Sequence, residues 1–169
     1  MRSYMIGKLL PAIVAKWPRE DAGQTIWIQQ DNAPSHVPAH DEQFATAVTQ
    51  TGFDIRIMKQ PPNSPDMNAL DLGFFASLQS LVDDTNPRNI DELIEQVHKE
   101  HRKYNPTVLN RVFLTLQGCF IEVMKDGGGN RYKVPHMGKG RLEALGILPK
   151  TLSCERQLYE RTMDILANI

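Results

Sequence analysis

Two carboxylates stand where phosphodiester chemistry would need them. Asp31 follows the β-type run Thr25-Ile26-Trp27-Ile28-Gln29-Gln30 and so ends a predicted strand. Asp71 lies three residues after Asn68, a suitable N-cap, in the first turn of a helix predicted from Ala69 to about Val82. Enzymes that cut phosphodiesters commonly hold two divalent cations about 3.5–4 Å apart, and hard ions such as Mg²⁺ take oxygen ligands converging from separate elements. A strand end and a facing helix start are such elements. The same placement also suits a turn-forming Asp and an ordinary first-turn residue, so position by itself leaves both readings open.

Other titratable groups offer less. Asp66 lies in the Ser64-Pro65-Asp66-Met67 loop and competes with Asp71, whereas Asp54 sits within a predicted strand and faces outward. His36 either approaches a phosphate or caps the turn after Asp31, and the structural role carries more weight. Glu95, His98 and His101 share a helical face but lie among Lys99, Arg102 and Lys103, which reads as a solvated helix. Cys119 and Cys154 are far apart without CxxC spacing, which argues against a disulfide framework or a zinc site and reads as buried or inert thiols.

The elements that must position these groups follow in order. Met5, Leu9, Ile13 and Trp17 have helical spacing, with Pro11 kinking or restarting that helix and Pro18 ending it. A helix over 40–51 closes at Gly52, and Phe53 to Met58 alternates as a half-buried strand before the irregular Pro61-Pro62-Asn63-Ser64-Pro65 segment. The helix after Asn68 is expected to bury Leu70, Phe74, Phe75, Leu78 and Leu81. Asn89 with Glu92 reads as a capping box opening a helix through Lys103, apolar at Ile90, Leu93, Ile94 and Val97. Pro106 starts another, with Leu109, Val112, Phe113, Leu116, Phe120 and Val123 on one face, and Arg156 to Asn168 forms a weaker last helix. The alternation of helix and strand is that of the α/β class, although two strands make a poor sheet.

Composition is that of an ordinary globular domain: 169 residues, 41% hydrophobic and 23% charged. No apolar run approaches the roughly 18 residues of a membrane span, and Met1 to Trp17 has no signal-peptide pattern, so a soluble intracellular protein is expected. The net charge of −1 leaves nucleic-acid binding to a local patch, and the cation-rich stretch from Lys125 to Lys150 supplies the candidates Arg131, Lys133, His136 and Lys139. A solvated loop is the alternative reading of that stretch.

Two longer stretches carry more than position does. Gln29-Gln30-Asp31-Asn32-Ala33-Pro34-Ser35-His36, and Pro61 through Ser64-Pro65-Asp66-Met67-Asn68-Ala69-Leu70-Asp71-Leu72-Gly73-Phe74-Phe75, resemble the signature of mariner-like DNA transposases. In that family a ribonuclease-H-like core carries three acids, the second in a QDNAxxH-type segment and the third in an SPDxNxx(E/D) segment. Asp31 and Asp71 match the second and third positions. The 39 residues between them resemble the plant-type mariner branch, and the likeness extends through Tyr132-Lys133-Val134-Pro135-His136-Met137. Asp66, with 34 intervening residues, also has a spacing that mariner relatives use. Asp71 is preferred because it shares a helical face with Phe75, Leu78 and Val82, which should point toward the sheet.

The resemblance implies a partial ribonuclease-H-like α/β fold over residues 1–150, with the first three strands missing, followed by a helical tail at 151–169. It implies Asp31 and Asp71 as catalytic and metal-binding residues for Mg²⁺ or Mn²⁺, Asp31 bridging two ions and Asp71 holding one. Metal-activated water would cut transposon ends, and the freed 3′-hydroxyl would attack target DNA. DNA and another copy of the chain are the implied partners, with no membrane, and the nucleus the implied location. No residue matches the family's first Asp or its amino-terminal DNA-reading domains, so autonomous transposition is not expected. Two readings follow: part of a metal-dependent endonuclease, or an inactive remnant that binds DNA or another transposase subunit. A small-molecule α/β enzyme is disfavoured, because neither strand end carries a glycine-rich phosphate loop.

Overall fold

A computed structural model describes residues 1–168 of the chain. They form two compact units, Met1–Asn63 and the remainder from Ser64 onward. The division falls within the proline segment at 61–65, where missing backbone donors and fixed φ angles disfavour regular structure. The last helix, like the rest of the chain from Ser64 onward, falls in the second unit.

The first unit opens with a helix, α1, made of Arg2–Tyr4, a π-helical turn Met5–Leu9 and Leu10–Lys16. Pro11 explains the widened turn: it has no N–H to give Gly7, and its ring crowds that carbonyl. The strands β1 (Ile26–Gln30) and β2 (Ile55–Lys59) are parallel, joined through α2 (Glu42–Thr49). Ile26 pairs with Ile55 and Ile28 with Ile57, so one face of the pair packs with Met5, Leu10, Val37, Phe44 and Phe53 into a single core. Trp27 and Met58 are exposed on the other face, where the Arg56 guanidinium lies 5.7 Å from the Trp27 ring centroid. The α/β class is thus observed, with a two-stranded sheet among the described residues.

Asp41 holds the helices of this unit. Its Oδ1 accepts the Phe44 N–H at 2.9 Å, capping α2, and its carboxylate also accepts Arg2 Nε at 2.9–3.0 Å from α1. Asp41 is buried, and the guanidinium beside it holds its carboxyl below the usual range.

The second unit is helical: α3 begins with a π-helical turn Leu70–Phe74 and continues as Phe75–Asp83, followed by α4 (Ile90–Lys103), α5 (Pro106–Lys125), α6 (Lys139–Ala144) and α7 (Arg156–Ala167). The Asn89 cap is present, its Oδ1 accepting the Glu92 N–H at 2.9 Å, but Glu92 reaches back to the N–H of Arg88 rather than Asn89. Asn105 caps α5 by accepting the Thr107 N–H at 2.9 Å. The short α6 had no sequence signal within the cationic stretch.

The predicted buried stripes need correction. On α5 the most buried residues are Leu114 and Cys119, with Val112 and Gly118, while Phe113 and Phe120 are exposed. Leu70, Phe75 and Leu81 of α3 are exposed and Val82 is buried; Ile90, Leu93 and Ile94 of α4 are exposed as well. Periodicity marks which residues share a stripe, but the packed side of α5 is decided by Gly118. An added Cβ there would stand 2.7 Å from Pro135 Cγ, so its bare backbone admits the proline ring. α5 is also the one described helix long and apolar enough, by length and composition, to cross a membrane, with mean hydropathy 1.2. Only 28% of that apolar window is buried, and one such helix by itself does not make a span.

Candidate functional site

Asp31 emerges one residue past β1, at the carboxyl edge of the sheet. The register sets Gln30 opposite Lys59, and Gln60 N–H donates to the Gln30 carbonyl at 2.7 Å, so both strands end together. Asn32 Nδ2 donates to the Gln60 carbonyl at 3.0 Å and ties the loop after β1 to the end of β2. Within that loop Asp31 Oδ1 accepts the Ala33 N–H at 2.8 Å, an Asx-turn. His36 Nδ1 lies 3.0 Å from Asp31 Oδ1 and 3.1 Å from the Asp31 carbonyl oxygen. Both neighbours are acceptors, so Nδ1 carries the hydrogen. The imidazole therefore steadies the turn, which agrees with the structural role expected of it. The carboxylate remains half exposed, with Oδ1 engaged by these donors.

A cleft of about 500 Å³ opens beside this turn, lined by Gln30, Asp31, His36, Pro38, His40 and Lys59 among others. Lys59 and His40 were not singled out from the sequence; the pairing of Lys59 with Gln30 is a relationship that only strand register reveals. A cleft of similar volume in the second unit, lined by Pro106, Asn110 and Glu143, contains none of the candidate residues.

In the second unit Asp71 lies in the π-helical first turn of α3 and is exposed. Asn68 acts as the expected cap, its Oδ1 accepting the Leu70 N–H at 3.0 Å, and its Nδ2 donates to Asp71 Oδ2 at 2.9 Å. Asp66 is placed differently. It is half-buried in the 3₁₀ turn Pro65–Met67 and accepts the hydroxyl of Tyr132, whose pKa is raised by burial and by that carboxylate. Asp66 thus has a structural partner.

Of the candidate cations, Arg131, Lys133 and His136 are exposed, whereas Lys139 is half-buried and hydrogen-bonded to Thr115 of α5. Burial lowers its pKa, with the nearby Arg111 adding to the effect. Asp54 is exposed as expected, just before β2, bonded to Thr25 and Arg56. Cys119 is fully buried and its thiol pKa raised by burial, while Cys154 is exposed.

The chain matches no protein-family model, no curated protein and no solved structure. The residues themselves must carry any functional reading. Among the described residues no three His, Cys, Asp or Glu side chains gather as a ready metal site. The donor chemistry of Asp31 fits a hydrated, oxygen-seeking cation as one ligand, for its carboxylate is accessible and its orientation is held from one side only.

Proposed function

We propose that the chain is the later part of the catalytic domain of a mariner-like DNA transposase, with a partial ribonuclease-H-like fold and with Asp31 and Asp71 as divalent-metal ligands in metal-dependent DNA cleavage. One observation carries this reading: Asp31, within the Gln29–His36 motif, stands at the carboxyl end of a strand parallel to its neighbour, where α/β sheets characteristically bind ligands. The order α1, β1, α2, β2 supports it, as does Asp71 in the opening turn of α3. The hydrogen bond that Asp66 accepts from Tyr132 favours Asp71 over Asp66 as the third acid of the family pattern.

A bound divalent cation would supply Lewis-acid activation of water and neutralise charge at the phosphodiester. Asp31 is oriented by Ala33 and His36 and presents the carboxylate; Asn68 orients Asp71. The alternative reading is a non-cleaving protein that binds DNA or another transposase subunit.

The deciding experiment is nicking of duplex DNA carrying the transposon end, with Mg²⁺ or Mn²⁺, by the chain and by Asp31→Asn, Asp71→Asn and Asp66→Asn proteins. Cleavage lost in the first two and kept in the third supports the endonuclease. DNA binding without cleavage supports the second reading, and cleavage by Asp71→Asn but not Asp66→Asn overturns the choice of acid.

A further inference from the structure

We infer that the cleft beside Asp31 is a binding site for a single unstacked nucleotide, taking the base between its apolar wall and imidazoles and the phosphate toward Lys59. This deepens the reading above and rests on it for the kind of ligand, while the position of the cleft is independent of any resemblance.

Parallel strands leave their carboxyl ends as the usual ligand crevice of an α/β sheet. Here Gln30 and Lys59, the last residues of β1 and β2, both line the cleft. Its volume of about 500 Å³ lies within the roughly 300–1,000 Å³ typical of small-ligand sites. The lining is mixed in a way that suits a nucleotide. Pro34, Pro38 and Ala39 give an apolar wall, His36 and His40 add flat rings of the kind on which unstacked bases sit, and Lys59 supplies a cation.

The loop that builds the cleft is held in place without the ligand. Asn32 is bonded to Gln60, Ala33 and His36 to Asp31, and the His36 N–H to the Ala33 carbonyl at 3.0 Å, while the Val37 side chain is inserted into the core. Little ordering therefore remains to be done on binding. Asp31 alone would repel a phosphate, and a divalent cation on its carboxylate reverses that sign, so Mg²⁺ should strengthen nucleotide binding.

The test is titration of the ¹⁵N-labelled full chain with a deoxynucleoside monophosphate, with inorganic phosphate and with the uncharged deoxynucleoside, each with and without Mg²⁺. Expected are amide shifts confined to residues 30–40 and 58–60, nucleotide binding at least tenfold tighter than inorganic phosphate, and a fivefold or greater loss in Lys59→Gln. Asp31→Asn should abolish the Mg²⁺ enhancement and, by removing the carboxylate that repels the phosphate, tighten the metal-free binding. Shifts elsewhere, equal affinity for phosphate and nucleotide, or an unchanged Lys59→Gln affinity would overturn the inference. Nucleotide binding in the cleft by a chain that never cuts DNA would remove the endonuclease reading and leave this one standing; cutting without such binding does the reverse.

Discussion

His36 Nδ1 stands 3.0 Å from Asp31 Oδ1, five residues back along the chain, and the same nitrogen faces the Asp31 carbonyl at 3.1 Å. One N–H thus fixes both the turn and the direction of the carboxylate. If Asp31 binds a divalent cation, His36→Ala should weaken Mn²⁺ binding about 10–100-fold, the usual effect of removing a group that orients a ligand. His36→Asn, whose amide can offer a similar N–H, should recover much of it. Paramagnetic broadening of the residue 30–36 amides by Mn²⁺ gives the readout, and equal affinity in all three proteins would sink the role assigned to His36.

Arg2 and Asp41 join α1 to the cap of α2. Because Arg2 lowers the Asp41 pKa in the folded state, the pair contributes stability above the ordinary carboxylate value of 3.8 and loses it as pH falls through the lower folded value. Arg2→Met should lower the melting temperature of the first unit at pH 6 and lessen its fall below pH 4. Both tryptophans, Trp17 and Trp27, lie in this unit, so their fluorescence follows its unfolding. An identical acid profile in the variant would refute the linkage.

Tyr132 donates to Asp66, and Tyr132→Phe should destabilise the second unit by roughly 1.5–3 kcal/mol, the range for hydrogen bonds to charged groups. The folded phenol has a pKa above the ordinary 10.0, so its contribution is present below pH 10 and fades as pH rises beyond it. Lys139, whose pKa is lowered, gives the opposite slope in the alkaline range, and comparison of wild type with Tyr132→Phe cancels it. Spectrophotometric titration should show one of the four tyrosines ionising late, and that late component should vanish in the variant.

Gly118 lets Pro135 pack on α5. Gly118→Ala would put a methyl group 2.7 Å from the proline ring and should cost about 1–3 kcal/mol, despite the higher helix propensity of Ala. Urea unfolding of the second unit measures it. A more stable Gly118→Ala protein would show that the proline segment yields easily.

Local chemistry made much of this chain legible before any fold was known. A β-type run placed Asp31 at the end of β1, Asn68 and Asn89 announced their helices through caps, and Pro11 marked the irregular turn in α1, because each signal acts over a few neighbouring residues. The buried side of each helix was less legible. Phe113 and Phe120 have the right spacing for a core stripe yet face outward, since burial depends on what arrives from elsewhere in the chain, here Pro135 against Gly118. Sequence alone did not show that Asp66 is bonded to Tyr132, because the two lie 66 residues apart along the chain.

Sequence alone determined the two acidic motifs, their order and their attachment to a strand end and a helix start, all properties of contiguous residues. Tertiary structure decided that His36 steadies Asp31, that Lys59 comes beside Gln30 at a shared cleft, and that Lys139 turns inward to Thr115. Those relationships arise from strand register and helix packing, which bring together residues whose separation along the chain carries no local energetic signal.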